Sequence, residues 1–157
     1  MKTGKAILLG CGVALVLALA LLLGGGVAVY HLAKDPEGMA VYLDVPEKVR
    51  RDEAFDVRVI VVNERKRESL KVTSVDFAED YLRGLTVRSS DPAPRGSTRE
   101  PFGGGQSYTF EKSIPAGATN VFIFRMRAKQ VGAYKGDVDV YEGVHVLTLL
   151  AQTEVIE

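Results

Sequence analysis

Between Lys5 and Lys34 the chain carries no Lys, Arg, Asp or Glu, and most of that stretch is Leu, Val, Ala and Gly. The run from Ala6 to Val29 is 24 residues. As a helix it measures about 36 Å, enough to cross a bilayer core of about 30 Å with some tilt. Leu, Ile and Val fill thirteen positions between Ile7 and Val29; they favour insertion by about 4 to 8 kcal/mol, partly offset by the glycines. The tail before it offers Lys2 and Lys5 with no acid, whereas the far flank mixes Lys34 with Asp35 and Glu37. That bias keeps the tail cytoplasmic and sends the C-terminal part across. The expected organisation is a cytoplasmic tail at 1–5, a transmembrane signal-anchor helix at 6–29, a linker at 30–38 and one extracytoplasmic domain at 39–157.

The apolar run has two other possible fates. Leu8-Leu9-Gly10-Cys11 resembles a lipobox, but only Ala6 to Gly10 would serve as its apolar region, and the run continues well past Cys11. A removable signal needs 7–15 apolar residues. Cleavage after Gly26-Val27-Ala28 has small residues in the right places, behind a stretch that is long for a signal peptide. The uncleaved anchor is the expectation. Small residues recur every four positions at Ala6, Gly10, Ala14 and Ala18, and at Ala20, Gly24 and Ala28. This spacing permits helix-mediated self-association, though an Ala- and Leu-rich helix also produces such rows by chance.

Cys11 is the only cysteine and lies inside the apolar run, so no intramolecular disulfide staples the remainder. Setting aside Lys2 and Lys5, eighteen basic residues face twenty acidic ones. Such a surface has no field that recruits nucleic acid or anionic lipid. The local cluster Arg65-Lys66-Arg67 is bracketed by Glu64 and Glu68 and reads as a solvated turn.

Beyond the linker the pattern changes to strands and turns. The predicted strands are Val41–Val45, stopped by Pro46, then Phe55–Asn63, Leu70–Phe77, Leu85–Ser90, Gln106–Ile114, Asn120–Ala128, Gly136–Tyr141 and His145–Val155. Phe55, Val57, Val59 and Val61 share one face; the other begins polar at Asp56 and Arg58 and turns apolar at Ile60 and Val62, which predicts cover on both sides at that end. Phe122, Phe124, Met126 and Ala128 face one way, Arg125 and Arg127 the other. Val138 and Val140 point inward, with Asp137, Asp139 and Tyr141 outward. Ala78 to Arg83 reads as a single helical turn. About eight short strands with turn signals between them predict an all-β fold, an antiparallel β-sandwich behind a single N-terminal transmembrane α-helix.

Two stretches sharpen that reading. One is Pro46, the strand Phe55-Asp-Val-Arg-Val-Ile-Val-Val-Asn63, Leu70 to Phe77, Tyr81-Leu82-Arg83-Gly84-Leu85 and Ile114-Pro115-Ala116-Gly117; the other is Gly132-Ala133-Tyr134-Lys135-Gly136-Asp137-Val138-Asp139-Val140. Together, across most of Val41 to Tyr141, they resemble bacterial immunoglobulin-like modules of the cell-adhesion-related (CARDB-like) type. The resemblance implies an immunoglobulin-like sandwich in an exported or surface protein that binds or spaces other proteins. Such modules often have Gly-Glu before the second strand, where this chain has Asp52-Glu53; Asp tolerates the left-handed conformation that the turn requires.

Chemistry-bearing patterns are few. Cys11 lies in the apolar run, His31 at its boundary, and no serine sits in a Gly-x-Ser-x-Gly turn. His145 lies between Val144 and Val146 in a predicted strand and reads as a structural or surface histidine rather than a base. Asp137 and Asp139, with Glu142 after them, would offer oxygens to calcium if they converged, and a solvated strand face explains the same alternation. Gly103-Gly104-Gly105 lacks the Lys-Ser/Thr of a phosphate loop. It closes a long segment, Ser89 to Gly105, rich in Pro, Gly, Ser and Arg. In that segment Arg95, Arg99 and Phe102 are the candidate partner contacts, and a connector without fixed structure is the competing account.

The expectation is a non-catalytic, membrane-anchored extracytoplasmic subunit that binds or scaffolds protein partners in an envelope assembly. It names no catalytic residue, cofactor or metal. The alternative is an extracytoplasmic ligand sensor or solute-binding accessory, which requires an enclosed cavity lined by Tyr108, Tyr134 or Tyr141.

Overall fold

Strand β1, Met39–Asp44, buries Met39 and Val41 and stops two residues before Pro46, which has no N–H to give a ladder. The chain then changes sheets. Strand β2, Lys48–Arg50, runs parallel to the last strand, Glu154 opposite Lys48, so two short pieces around Pro46 straddle both layers. The computed structural model describes residues 36–99 and 104–157. The tail, anchor and all but the end of the linker expected above lie outside the described residues. Among those described, no helix is long and apolar enough to cross a membrane. Both sheets belong to one compact unit, Asp35–Glu157.

The remaining elements are β3 (Ala54–Asn63), β4 (Leu70–Phe77), a one-turn helix α1 (Glu79–Leu82), β5 (Leu85–Asp91), β6 (Gly96–Arg99), β7 (Gln106–Ile114), β8 (Thr119–Ala128), β9 (Gly132–Glu142) and β10 (His145–Ile156). They form a four-stranded sheet in the order β1-β3-β8-β5 and a six-stranded sheet in the order β2-β10-β9-β4-β7-β6. The fold is all-β, and every pairing except β2 with β10 is antiparallel. That parallel pair corrects the expectation of a purely antiparallel sandwich, and it follows from the sheet switch at Pro46.

Alternation decides which residues meet between the layers. Val57, Val59 and Val61 of β3 and Phe122, Phe124 and Met126 of β8 are fully buried, as are Val138 and Val140 of β9. Burial of each contributes about 1.5–3 kcal/mol. Aromatic rings join the sheets: Phe124 lies 4.8 Å from Phe77 and 5.3 Å from Tyr108, and Phe122 lies 4.7 Å from Phe110. Tilted and edge-on pairs at these distances add stabilisation beyond their area. Tyr81, on α1, reaches the same core, where its hydroxyl meets the buried Thr153 hydroxyl at 3.0 Å. Burial pushes the Tyr81 pKa up to about 12, with the Thr153 hydrogen bond pulling the other way.

Two turns are set by single residues. Asp52 adopts φ 65°, and around it Glu53 N–H donates to the Arg50 carbonyl while Arg50 N–H donates to the Glu53 carboxylate. The left-handed turn expected at Asp52-Glu53 is therefore present without glycine. At the other end of β3, buried Asn63 donates to the carbonyls of Glu68 and Ile114, both at 2.9 Å, and accepts from Arg65 N–H at 3.1 Å. Its side chain ties the β3–β4 loop to the end of β7.

Candidate functional site

Three surfaces carry the polar and apolar groups not consumed by the core. The first is the edge of the six-stranded sheet. The segment read as a long loop from Ser89 to Gly105 holds strand at both Ser89–Asp91 and Gly96–Arg99: β5 continues to Asp91, the peptide before Pro92 is cis, and Gly96–Arg99 pairs with β7 from Thr109 to Gln106. All four residues of β6 are exposed, so no apolar periodicity marks them in the sequence. Arg95 donates its backbone N–H to the Thr109 carbonyl at 2.8 Å and leaves its side chain exposed. Arg99 reaches Glu79 at 3.0 Å, both side chains more than half exposed. Arg95 thus precedes one edge strand and Arg99 ends it, and Phe102 lies outside the described residues.

The second surface is the outer face of that sheet. Register places Ser107, Asp76, Asp139 and Thr148 side by side across β7, β4, β9 and β10. Ser107 donates to Asp76 at 2.7 Å and Thr148 to Asp139 at 2.5 Å. Like charges directly opposite one another destabilise a sheet. Burial, with the nearby Asp137 and Asp76 carboxylates adding to it, holds Asp139 above the ordinary carboxylate range, against the opposing Thr148 hydrogen bond. Glu142 does not join these acids. Its two oxygens take Arg65 Nη1 at 2.8 Å and Nη2 at 2.5 Å, while Arg65 Nε donates to the Glu37 carbonyl at 2.9 Å. The Glu142 hydrogen bonds hold the Arg65 pKa above its ordinary value. Arg65 is therefore a latch on the start of the domain rather than part of a solvated turn. Among the described residues no three His, Cys, Asp or Glu side chains are grouped to hold a metal ion.

The third surface is the outer face of the four-stranded sheet. Tyr42, Ile60 and Val121 lie in one cross-strand row, with Asp44, Arg58 and Ile123 in the next. Tyr42 is 57 % and Val121 38 % exposed, and Ile60 and Val62 are half-buried. Among the described residues, the cover predicted on both sides of that end of β3 is complete on the core side and partial on the outer face. Beside this row a depression of about 480 Å³ is bordered by Asp44, Phe55, Asp56, Arg58 and Arg125. Two others, of about 350 and 410 Å³, are bordered by Glu79, Arg83 and Arg99 and by Glu47, Lys48, Gln152 and Glu154. Tyr108, Tyr134 and Tyr141 line none of the three. Tyr108 belongs to the aromatic core, and Tyr134 is buried over Gly84 with its hydroxyl on the Gln130 carbonyl. Tyr141 sits on β9 opposite Ser74. His145 opens β10 opposite Glu142 and borders none of these depressions.

No protein-family model matches the chain, and no curated protein matches it. One solved structure that does match is that of AvmM, which catalyses macrocyclization in alchivemycin A biosynthesis. It is 10% identical, the match covering 80% of this chain and 95% of that one at a TM-score of 0.48. A likeness at that level carries no argument about this chain.

Proposed function

We propose that this chain is a single-pass membrane protein, N-terminus inside, that displays an immunoglobulin-like sandwich outside the cytoplasm as a non-catalytic binding or scaffolding subunit of an envelope assembly. The uncharged run from Ala6 to Val29 supports the anchor. The neighbour orders β1-β3-β8-β5 and β10-β9-β4 support the immunoglobulin-like assignment, since they repeat the ABED and GFC sheets of that architecture. One departure belongs to this chain: the edge strand β5 precedes the β6–β7 hairpin, whereas immunoglobulin domains add strands beside β4's counterpart first.

The observation that carries the binding role is the edge at β6. On the opposite side, β1 and β2 straddle the layers around Pro46. On this side β5 is interrupted by a bulge at Arg88, a device that blunts edges. Strand β6 is regular and wholly exposed, preceded by Arg95 and ending in Arg99. Its outward N–H and C=O groups suit addition of an extended strand from a partner, with an acidic side chain meeting Arg95.

A photo-crosslinking residue placed at Thr98 of the full-length chain, in native membranes, tests this. The expected result is one discrete adduct at β6 that disappears when Ser97→Pro removes an outward N–H from the edge. An adduct that survives the proline, or that forms equally from exposed β10 positions such as Gln152, overturns the reading. Protease applied to sealed spheroplasts tests the topology: digestion of the domain is expected, and full protection refutes it.

A further inference from the structure

We propose that the outer face of the four-stranded sheet is a self-docking surface, through which two copies of this chain pair about a two-fold axis lying between β3 and β8. The face is divided in two. One half is the apolar row Tyr42, Ile60 and Val121; the other presents Asp56 directly opposite Arg125. Arg58 is joined to Asp44 at 3.3 Å, but Asp56 and Arg125 have no side-chain partner among the described residues. Asp44, Asp56 and Asp91 balance Arg58, Arg125 and Arg127 on this face, so a partner of strong single-sign charge meets repulsion as well as attraction. A second copy meets it at the rim alone, where Asp44 comes over Asp91 of the other copy.

Rotation about an axis in the interface, parallel to the strands and between β3 and β8, exchanges those two columns. Ile60 then lies over Val121 of the second copy, and Asp56 over Arg125 of the second copy. Each contact forms twice, as an isologous interface requires. Stacked sheets sit about 10 Å apart, within reach of the facing side chains.

The area sets the strength. Eight steps from Ala54 to Val62 span about 27 Å, and four strands about 19 Å, giving about 500 Å² per copy. The total of about 1,000 Å² is at the low end for specific interfaces. Pairing is therefore weak in dilute solution and favoured where copies are held together at local concentrations near about 1 mM.

The test uses the full-length chain in density-matched detergent, read by sedimentation equilibrium. Asp56→Arg sets two arginines against each other in its own homodimer, and Arg125→Asp sets two carboxylates against each other. Each variant alone is expected to weaken association at least about tenfold. An equimolar mixture of the two restores opposite signs at both contacts and is expected to return within about threefold of the parent chain. Equivalent reversals on the other sheet, Lys135→Asp and Asp137→Arg, are expected to change nothing alone or mixed. A parent chain that stays monomeric at about 1 mM overturns the proposal. So do single variants that associate like the parent, or a mixture that remains as weak as its components. Restoration requires folded chains, so misfolding cannot imitate the expected result. Pairing through the apolar N-terminal run would be insensitive to both reversals.

Discussion

Arg65 offers the sharpest energetic test of the structure. Its guanidinium gives Nη1 and Nη2 to the two Glu142 oxygens and Nε to the Glu37 carbonyl. The side chains are 22% and 18% exposed, which separates this pair from Lys48–Glu154, where both partners are about half exposed. Charge-assisted bonds contribute about 1.5–3 kcal/mol each. Desolvation and the remaining exposure offset roughly half of two such bonds, leaving a coupling of about 2 kcal/mol. Arg65→Ala also strands the Glu142 carboxylate and the Glu37 carbonyl, so its full cost is about 3 kcal/mol. For a domain of this size that lowers Tm by about 12 °C.

The assay is urea unfolding of a fragment beginning at Asp35, followed by circular dichroism, for Arg65→Ala, Glu142→Ala and the double variant. The expected coupling is about 2 kcal/mol, and less than half of it is lost in 1 M salt because the pair is mostly enclosed. Arg65→Lys keeps the charge but cannot bridge both carboxylate oxygens and the carbonyl, so it recovers less than half. A coupling below about 0.5 kcal/mol, the range of exposed pairs, would refute the assignment of Arg65 as a latch.

Three further outcomes follow from the same structure. Asp139 is held above its ordinary value of 3.8 chiefly by burial, so the folded state binds its proton more tightly than the unfolded chain. That contribution to stability is present in acid and lost as pH rises from about 3.8 through the raised folded value; Asp139→Asn is expected to raise Tm at pH 7 and not at pH 3, and equal shifts at both would contradict it. Asp52 sits at φ 65°, so Asp52→Val should destabilise by about 1–2 kcal/mol and Asp52→Gly should not, as read by urea midpoints. Tyr81→Phe leaves the buried Thr153 hydroxyl without the partner at 3.0 Å and should cost about 1–2 kcal/mol; adding Thr153→Val should recover part of the loss, and strictly additive effects would show that the hydroxyls do not interact.

The sheet positions were legible wherever apolar residues alternate. Val57, Val59 and Val61, Phe122 to Ala128, and Val138 with Val140 all point into the core as their spacing predicts. Strands Leu70–Phe77 and Gln106–Ile114 begin and end where the pattern does. What escaped was short or uniformly polar. Lys48–Arg50 is three residues with one buried side chain, and Gly96–Arg99 buries none. Such strands exist because a neighbouring edge supplies hydrogen bonds, and that neighbour lies far away in sequence. Arg65 misled for a related reason: among Glu64, Lys66 and Glu68 its charge looks solvated, yet its partner Glu142 is 77 residues away.

The surfaces proposed to bind partners are the least legible part, and the cause is physical. A strand facing water and a strand facing a partner share the same alternation, so Tyr42, Ile60 and Val121 cannot be told from isolated exposed apolar residues until register aligns them. Asp56 and Arg125 are separated by more than sixty positions and become neighbours through β3–β8 pairing alone. The β5–β6 passage obeys the same logic. With β5 committed first to the far edge of one sheet, the chain returns to build β6 and β7 onto the other. The regular edge at Gly96–Arg99 is therefore a product of strand order, which no residue within it records.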